Sequence, residues 1–222
     1  MERGLLIALG LVVGVVAALG FYAWRLDDEP AGDAPSTNFP AIAHDTEAAA
    51  TLIADWERWR TATFVTEGTW TRTLDGVEEP LTGSVYTAQQ PPRRLVVRLG
   101  VTVEQIDDLV ATCDSSTDEL IAPACVPGSG LSYVERVEGE MGLVRQYVTG
   151  DAREYDVGLA DNGCYQLSSA LPRLASPWGK WAEFCFDEES GALRKATVRR
   201  QSATDVELIV LIRADVTDAD FG

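Results

Sequence analysis

Four cysteines, at positions 113, 125, 164 and 185, are the residues of this 222-residue chain best suited to covalent chemistry. Their spacing contains no CxxC, and one histidine, His44, is too few for the usual Cys/His zinc sets. An even number of cysteines without metal spacing reads as two disulfides, which places the chain in an oxidising compartment. Other chemistry-bearing patterns are missing. There is no GxSxG, SxxK, P-loop or GxGxxG, and Gly128-Ser129-Gly130 reads as a loop. Lys180 beside Trp178 and Trp181 reads as a solvated residue. The acidic groups Asp27-Asp28-Glu29 and Asp215, Asp218, Asp220 read as surface, because calcium binding needs an EF-hand-like spacing. Nothing selects a pair among the 35 acids for glycoside hydrolysis. The sequence therefore predicts no enzyme, no cofactor and no metal site.

What remains is aromatic: Trp56, Trp59, Trp70, Trp178 and Trp181 either pack a core or line an apolar cavity. The formal net charge of −17 repels phosphate backbones and anionic headgroups from almost any approach direction, so nucleic-acid binding is excluded as a function class.

These side chains must be positioned by elements whose signals run along the chain. Gly4 to Ala23 carry no charge for 20 residues, enough at about 1.5 Å per residue to cross a bilayer. Phe21, Tyr22 and Trp24 at the outer end resemble an interfacial belt, so residues 1–25 are expected to be an uncleaved transmembrane anchor. The competing reading is a cleaved secretory signal, with Ala18-Leu19-Gly20 offering small residues to a signal peptidase. Either way the remainder is exported, and the localisation expected is the cell membrane, single-pass, with the domain outside. Gly10 and Gly14 form a GxxxG, a pattern frequent in any membrane helix, and oligomeric state stays open. Residues 26–44, rich in Asp, Pro, Gly, Ser and Thr, read as a flexible linker, and 45–222 as the folded domain.

Asp45 is the expected N-cap of an amphipathic helix reaching about Thr61, with Leu52, Ile53, Trp56 and Trp59 at helical spacing. From Thr63 the period changes to two. Candidate strands cover 63–74, 83–89, 93–100, 101–105, 109–113, 153–160, 164–169, 181–187, 193–200 and 205–213. Asp161-Asn162-Gly163 and Glu188 to Gly191 mark hairpins, and Pro91-Pro92 blocks pairing between two runs. Val134, Val137, Met141, Val144 and Val148 predict one inserted helix. The fold class is α+β, an antiparallel sheet of about ten strands with an N-terminal and an inserted helix. Tyr155, Val157, Leu159, Tyr165, Leu167, Ala182, Phe184 and Phe186 share an apolar face, and Cys164 and Cys185 fall on the opposite, wet one. Three disulfide connectivities exist in principle; the shared face favours Cys164 to Cys185 and, by elimination, Cys113 to Cys125.

The order of helix, meander with Pro91-Pro92 before Arg93-Arg94-Leu95-Val96, inserted helix and closing hairpins resembles the exported LolA-like proteins of actinobacteria. The hairpins carry Gly163-Cys164-Tyr165 and Phe184-Cys185-Phe186-Asp187, followed by Ser190-Gly191-Ala192, and the chain ends in Asp218-Ala219-Asp220-Phe221. The resemblance covers about residues 45 to 222 and extends to lipoprotein carriers and the mycobacterial LppX and LprG type lipoproteins. It implies a half-open β-barrel closed by helices. It departs at the N-terminus, where a peptide anchor stands in place of a lipidated cysteine, and an anchored carrier cannot shuttle.

The expected function is a membrane-anchored extracytoplasmic domain that binds a hydrophobic ligand, a lipid or lipoprotein, without catalysis. The candidate cavity residues are Trp56, Phe64, Trp70, Leu95, Val97, Leu99, Val206, Leu208, Val210 and Ile212. The alternative is a cell-envelope interaction or sensor domain with a filled core. An empty apolar tunnel distinguishes the first from the second.

Overall fold

The computed structural model describes residues 41–106, 111–112, 126–127, 132–170 and 177–222. The expected anchor, most of the linker and the Cys113 to Cys125 pair lie outside the described residues. Among the described residues no helix is long and apolar enough to cross a membrane.

Helix α1 (Thr46–Thr61) begins at its expected cap, the Asp45 carboxylate accepting from the N–H groups of Glu47 and Ala48. Ala48, Ala49, Leu52 and Trp56 form its buried stripe. Helix α2 (Tyr133–Val148) is opened by a capping box between Ser132 and Glu135. Val137, Met141, Val144 and Val148 are buried as their spacing predicts. Val134 is instead solvent-exposed, and Tyr133, one turn before Val137, takes the inward place.

The strands are β1 (Phe64–Leu74), β2 (Leu81–Gln90), β3 (Arg93–Arg98), β4 (Val101–Ile106), β5 (Ala111–Thr112) and β6 (Val126–Pro127), followed by β7 (Tyr155–Leu159), β8 (Tyr165–Ser169), β9 (Trp181–Phe186), β10 (Leu193–Arg199) and β11 (Ala203–Arg213). Nine of them form one open antiparallel sheet in the order β4-β3-β2-β1-β11-β10-β9-β8-β7, and β5 pairs with β6. The sequence reading has no counterpart for β6. Pro91-Pro92, joined by a cis peptide, occupies the turn between β2 and β3. Pairing resumes at once with Gln90 opposite Arg93, since neither missing N–H is needed in the ladder. Between β1 and β11 the register shifts at Glu67/Gly68. There a Cβ on Gly68 would meet the Leu208 carbonyl oxygen at 2.2 Å, so the close approach of the two strands requires glycine.

Both helices pack on one half of one face. Trp56 is the centre of that core, with ring centroids 5.1 Å from Trp178, 5.1 Å from Phe184 and 5.3 Å from Trp59. Tyr155, Val157, Tyr165, Leu167 and Ala182 complete it from β7, β8 and β9, while Leu159, expected on the same face, is exposed at the sheet edge. His44, placed in the linker by composition, is docked here: the Val157 N–H donates to its Nδ1 at 3.3 Å.

A second, smaller core lies on the opposite face of β1 to β3, where Val65, Ala88 and Leu95 meet Val97, Val216 and Phe221. A 3-10 turn (Asp218–Phe221) covers it. Arg213 pairs with Asp220, Arg93 reaches Asp218 at 2.6 Å, and the Arg93 guanidinium lies 3.9 Å from the Phe221 ring centroid. Asp220 is thus a tie rather than loose surface charge. The Arg213 guanidinium and the Thr217 N–H hold its carboxyl well below the usual carboxylate range.

Cys164 and Cys185 form a disulfide, with S–S 2.08 Å and Cα atoms 4.4 Å apart. Their face is not wet at this point: both cysteines are buried, beside Glu183, which Lys195 neutralises at 2.6 Å. Replacing both cysteines by alanine is expected to cost about 3 kcal/mol through the freed unfolded chain, read as a lower melting temperature.

Candidate functional site

The helices close over β7 to β9 and stand off from the inner face of β1 to β4 and the near part of β10. A cleft of about 700 Å³ opens there, between the last turn of α1, one side of α2 and the sheet. Its apolar wall is Trp59, Phe64, Val96, Leu143, Leu193 and Ala196. A Cβ on Gly139, which also lines it, would touch no other atom, so glycine here keeps space open at a position where a helix disfavours it.

The floor of the cleft is a buried ionic network. Arg60 Nε lies 3.1 Å from Glu140 Oε2, and its Nη2 lies 3.7 Å from Glu104 Oε1. Arg94 Nε donates to Glu104 Oε2 at 2.9 Å and Arg94 Nη1 to the Gln89 side-chain oxygen. The Gln89 amide in turn donates to the carbonyls of Trp59 (2.6 Å) and Ala62 (2.8 Å), tying β2 to the end of α1. Trp56 Nε1 donates to Glu140 Oε1 at 2.7 Å, and the Tyr133 hydroxyl donates to the Arg60 carbonyl, so α2 is fastened at two points. Burial alone would raise the Glu104 carboxyl, but the Arg94 and Arg60 guanidiniums outweigh it and hold the group below its ordinary value. Both arginines also lie against the Trp59 ring, at 5.5 and 5.3 Å from its centroid.

A smaller recess of about 160 Å³ adjoins the cleft and shares Arg98, Ala196 and Glu207 with it. Trp70 is its aromatic wall, with Arg72 and Arg98 at 5.5 and 5.6 Å from the ring centroid.

The ten expected cavity residues divide. Phe64 lines the cleft, Trp70 lines the recess, and Trp56 lies in the core behind them, touching the network through its indole N–H. Leu95 and Val97 belong to the outer core, so a substitution such as Val97→Gln reports on that core and not on the cleft. Leu99, at φ 54° in the turn before β4, is exposed and sits where a Gly83 side chain would stand. Val206 stands opposite Thr71 and Leu208 opposite Thr69 on the outer face, and Val210 is 74% exposed. Ile212 stands opposite Thr66 but does not line the cleft. The cause is register. In Arg93-Arg94-Leu95-Val96-Val97-Arg98 each face carries both charge and apolar groups, so period two alone does not say which side is inward. Arg60, Arg94, Arg98, Glu104 and Glu140 were not singled out from sequence. The one available signal was the alternation of Arg94, Val96 and Arg98.

The architecture is an open antiparallel sheet of nine strands with two helices packed on one of its faces. No protein-family model matches the chain, and the comparison with curated proteins returns no match. Solved structures similar to it include MucB of the Pseudomonas aeruginosa MucA/MucB complex (12% identity, 80% of this chain, 61% of that chain, TM-score 0.42). Another is LprF from Mycobacterium bovis (13% identity, 79% of this chain, 97% of that chain, TM-score 0.37). A LolA superfamily protein from Nitrosomonas europaea aligns at 7% identity over 79% of this chain and 97% of that chain, with a TM-score of 0.26. The chain spans about three-fifths of the MucB chain it matches.

Proposed function

We propose that the chain is a non-catalytic, extracytoplasmic binding domain, anchored in the membrane by its N-terminal apolar run, whose cleft holds an amphiphile such as a lipid or a lipidated group. The observation that carries this reading is the open cleft of about 700 Å³, within the usual size of ligand sites, with six apolar side chains along one wall. The disulfide agrees with an oxidising compartment. The interaction-domain alternative predicts a core closed throughout. That description suits the half under the helices and not the half over β1 to β4.

Gly139→Leu separates a ligand site from an incidental groove. The substitution supplies a better helix former and is expected to stabilise the protein by about 0.5–1 kcal/mol, read as a higher melting temperature. It also places a side chain in the cleft, so lipid co-purifying with the parent chain in native mass spectrometry is expected to disappear. A parent chain that carries no added mass, or a variant that carries the same mass, overturns the reading.

A further inference from the structure

The recess beside the cleft has an uneven charge count. Arg72, Arg98 and Arg200 line it, against Asp205 and Glu207. Both carboxylates are already engaged: Asp205 accepts from Arg72 Nε at 2.6 Å and Nη2 at 2.9 Å, and Glu207 accepts from Arg98 Nη2 at 2.9 Å. Arg200 Nε donates at 3.3 Å to the Asp205 oxygen that Arg72 Nη2 also uses, so one carboxylate serves two guanidiniums. Arg98 Nε is shut away from solvent with no hydrogen-bond partner. The network on the cleft floor is different, since there Arg60 and Arg94 are matched by Glu104 and Glu140. Three guanidiniums against two carboxylates in the lining, two of the three over the Trp70 face, is an arrangement that a singly charged anion suits.

We infer that this recess is the subsite for an anionic headgroup, a phosphodiester or carboxylate, on an amphiphile whose apolar part lies along Trp59, Phe64, Val96 and Leu143. The inference rests on the cleft being a ligand site and adds the class of ligand. The two spaces share Arg98, Ala196 and Glu207 in their linings, so the headgroup subsite adjoins the apolar wall, with the Arg98–Glu207 ion pair at the junction. The overall charge of −17 does not oppose it: exposed charges farther away than about 8 Å are screened at physiological ionic strength, while guanidiniums within the recess act at contact distance.

The test uses the full chain in a maltoside detergent, with equimolar dioleoyl phosphatidylglycerol and dioleoyl glycerol supplied together, read by native mass spectrometry. The anionic adduct is expected to exceed the neutral one by about tenfold, the effect of a charge-assisted contact in a partly closed site. Arg98→Gln and Arg200→Gln are each expected to bring the ratio close to one. Arg200 lies at the rim of a hairpin, so its variant tests the site without endangering the fold. Equal adducts on the parent chain, or an unchanged ratio in both variants, overturn the headgroup subsite and leave the cleft as a binder of neutral lipid. Absence of either adduct removes the ligand site itself. Displacement of phosphatidylglycerol by millimolar glycerol phosphate assigns the recess to a free anion and overturns the amphiphile.

Discussion

Trp56→Ala is expected to lower the unfolding free energy by about 3–5 kcal/mol, the range for removing a large buried aromatic whose cavity cannot collapse. Collapse is blocked because the indole touches four other rings, Trp59 of its own helix and Trp178, Phe184 and Phe186 in and just before β9. The substitution also leaves Glu140 without the indole N–H it accepts at 2.7 Å, which weakens the attachment of α2. Chemical denaturation of parent and variant measures the effect. A loss below about 1 kcal/mol would mean that the helices are not seated on β9 as the ring contacts require. Trp56→Phe, which keeps an aromatic ring in the core but loses the N–H and part of the bicyclic surface, is expected to recover about half of the loss.

Glu104→Ala is expected to cost about 3–4 kcal/mol, for a different reason. Its carboxylate is the shared partner of Arg94 at 2.9 Å and Arg60 at 3.7 Å, and the side chains of those arginines are only 6% and 5% exposed. Removing it strands one buried guanidinium with Gln89 alone, and an uncompensated buried charge is far more costly than the pair was favourable. Arg60 retains Glu140, which keeps the loss at the lower end of that range. The same network sets a pH dependence. The Glu104 carboxyl in the folded chain titrates below its ordinary value of 4.5, so its contribution is fully present above that value. It is lost as pH falls through the lower folded value, when the folded state must take up a proton that the unfolded state already holds. Melting temperatures recorded from pH 7 to pH 3 are expected to fall more steeply for the parent chain than for Glu104→Gln. Parallel curves would show that the carboxylate is not coupled to its arginines.

The elements were legible in the sequence where local chemistry decides them. Asp45 caps α1 because a side-chain oxygen there satisfies two amide groups that nothing else nearby satisfies. Strands β7 and β8 alternate between buried and less buried residues because one of their faces meets helices, and the pairing of Cys164 with Cys185 follows from the same period of two carried into β9. The inward stripe of α2 was read correctly from Val137 to Val148 and failed at its first turn, where Tyr133 rather than Val134 points inward. A helix end has too few turns for the period to locate a face.

Where the cleft lies was a tertiary decision. Strand β3 has apolar residues on both faces because both are covered, Leu95 and Val97 by the C-terminal turn and Val96 by the cleft wall. That turn is about 120 residues away along the chain, and no local pattern announces which face it will cover. The arginines of the cleft were invisible for the same reason. Arginines on a strand or a helix read as solvated until Glu104, Glu140 and Glu207, from a neighbouring strand, the second helix and a strand three places along the sheet, are seen to meet them. Local sequence determines period, caps and turns, since those depend on interactions within a few residues. The inner face of an open sheet is chosen only when distant segments compete to bury it, and in this chain the helices closed one half and left a cleft over the other.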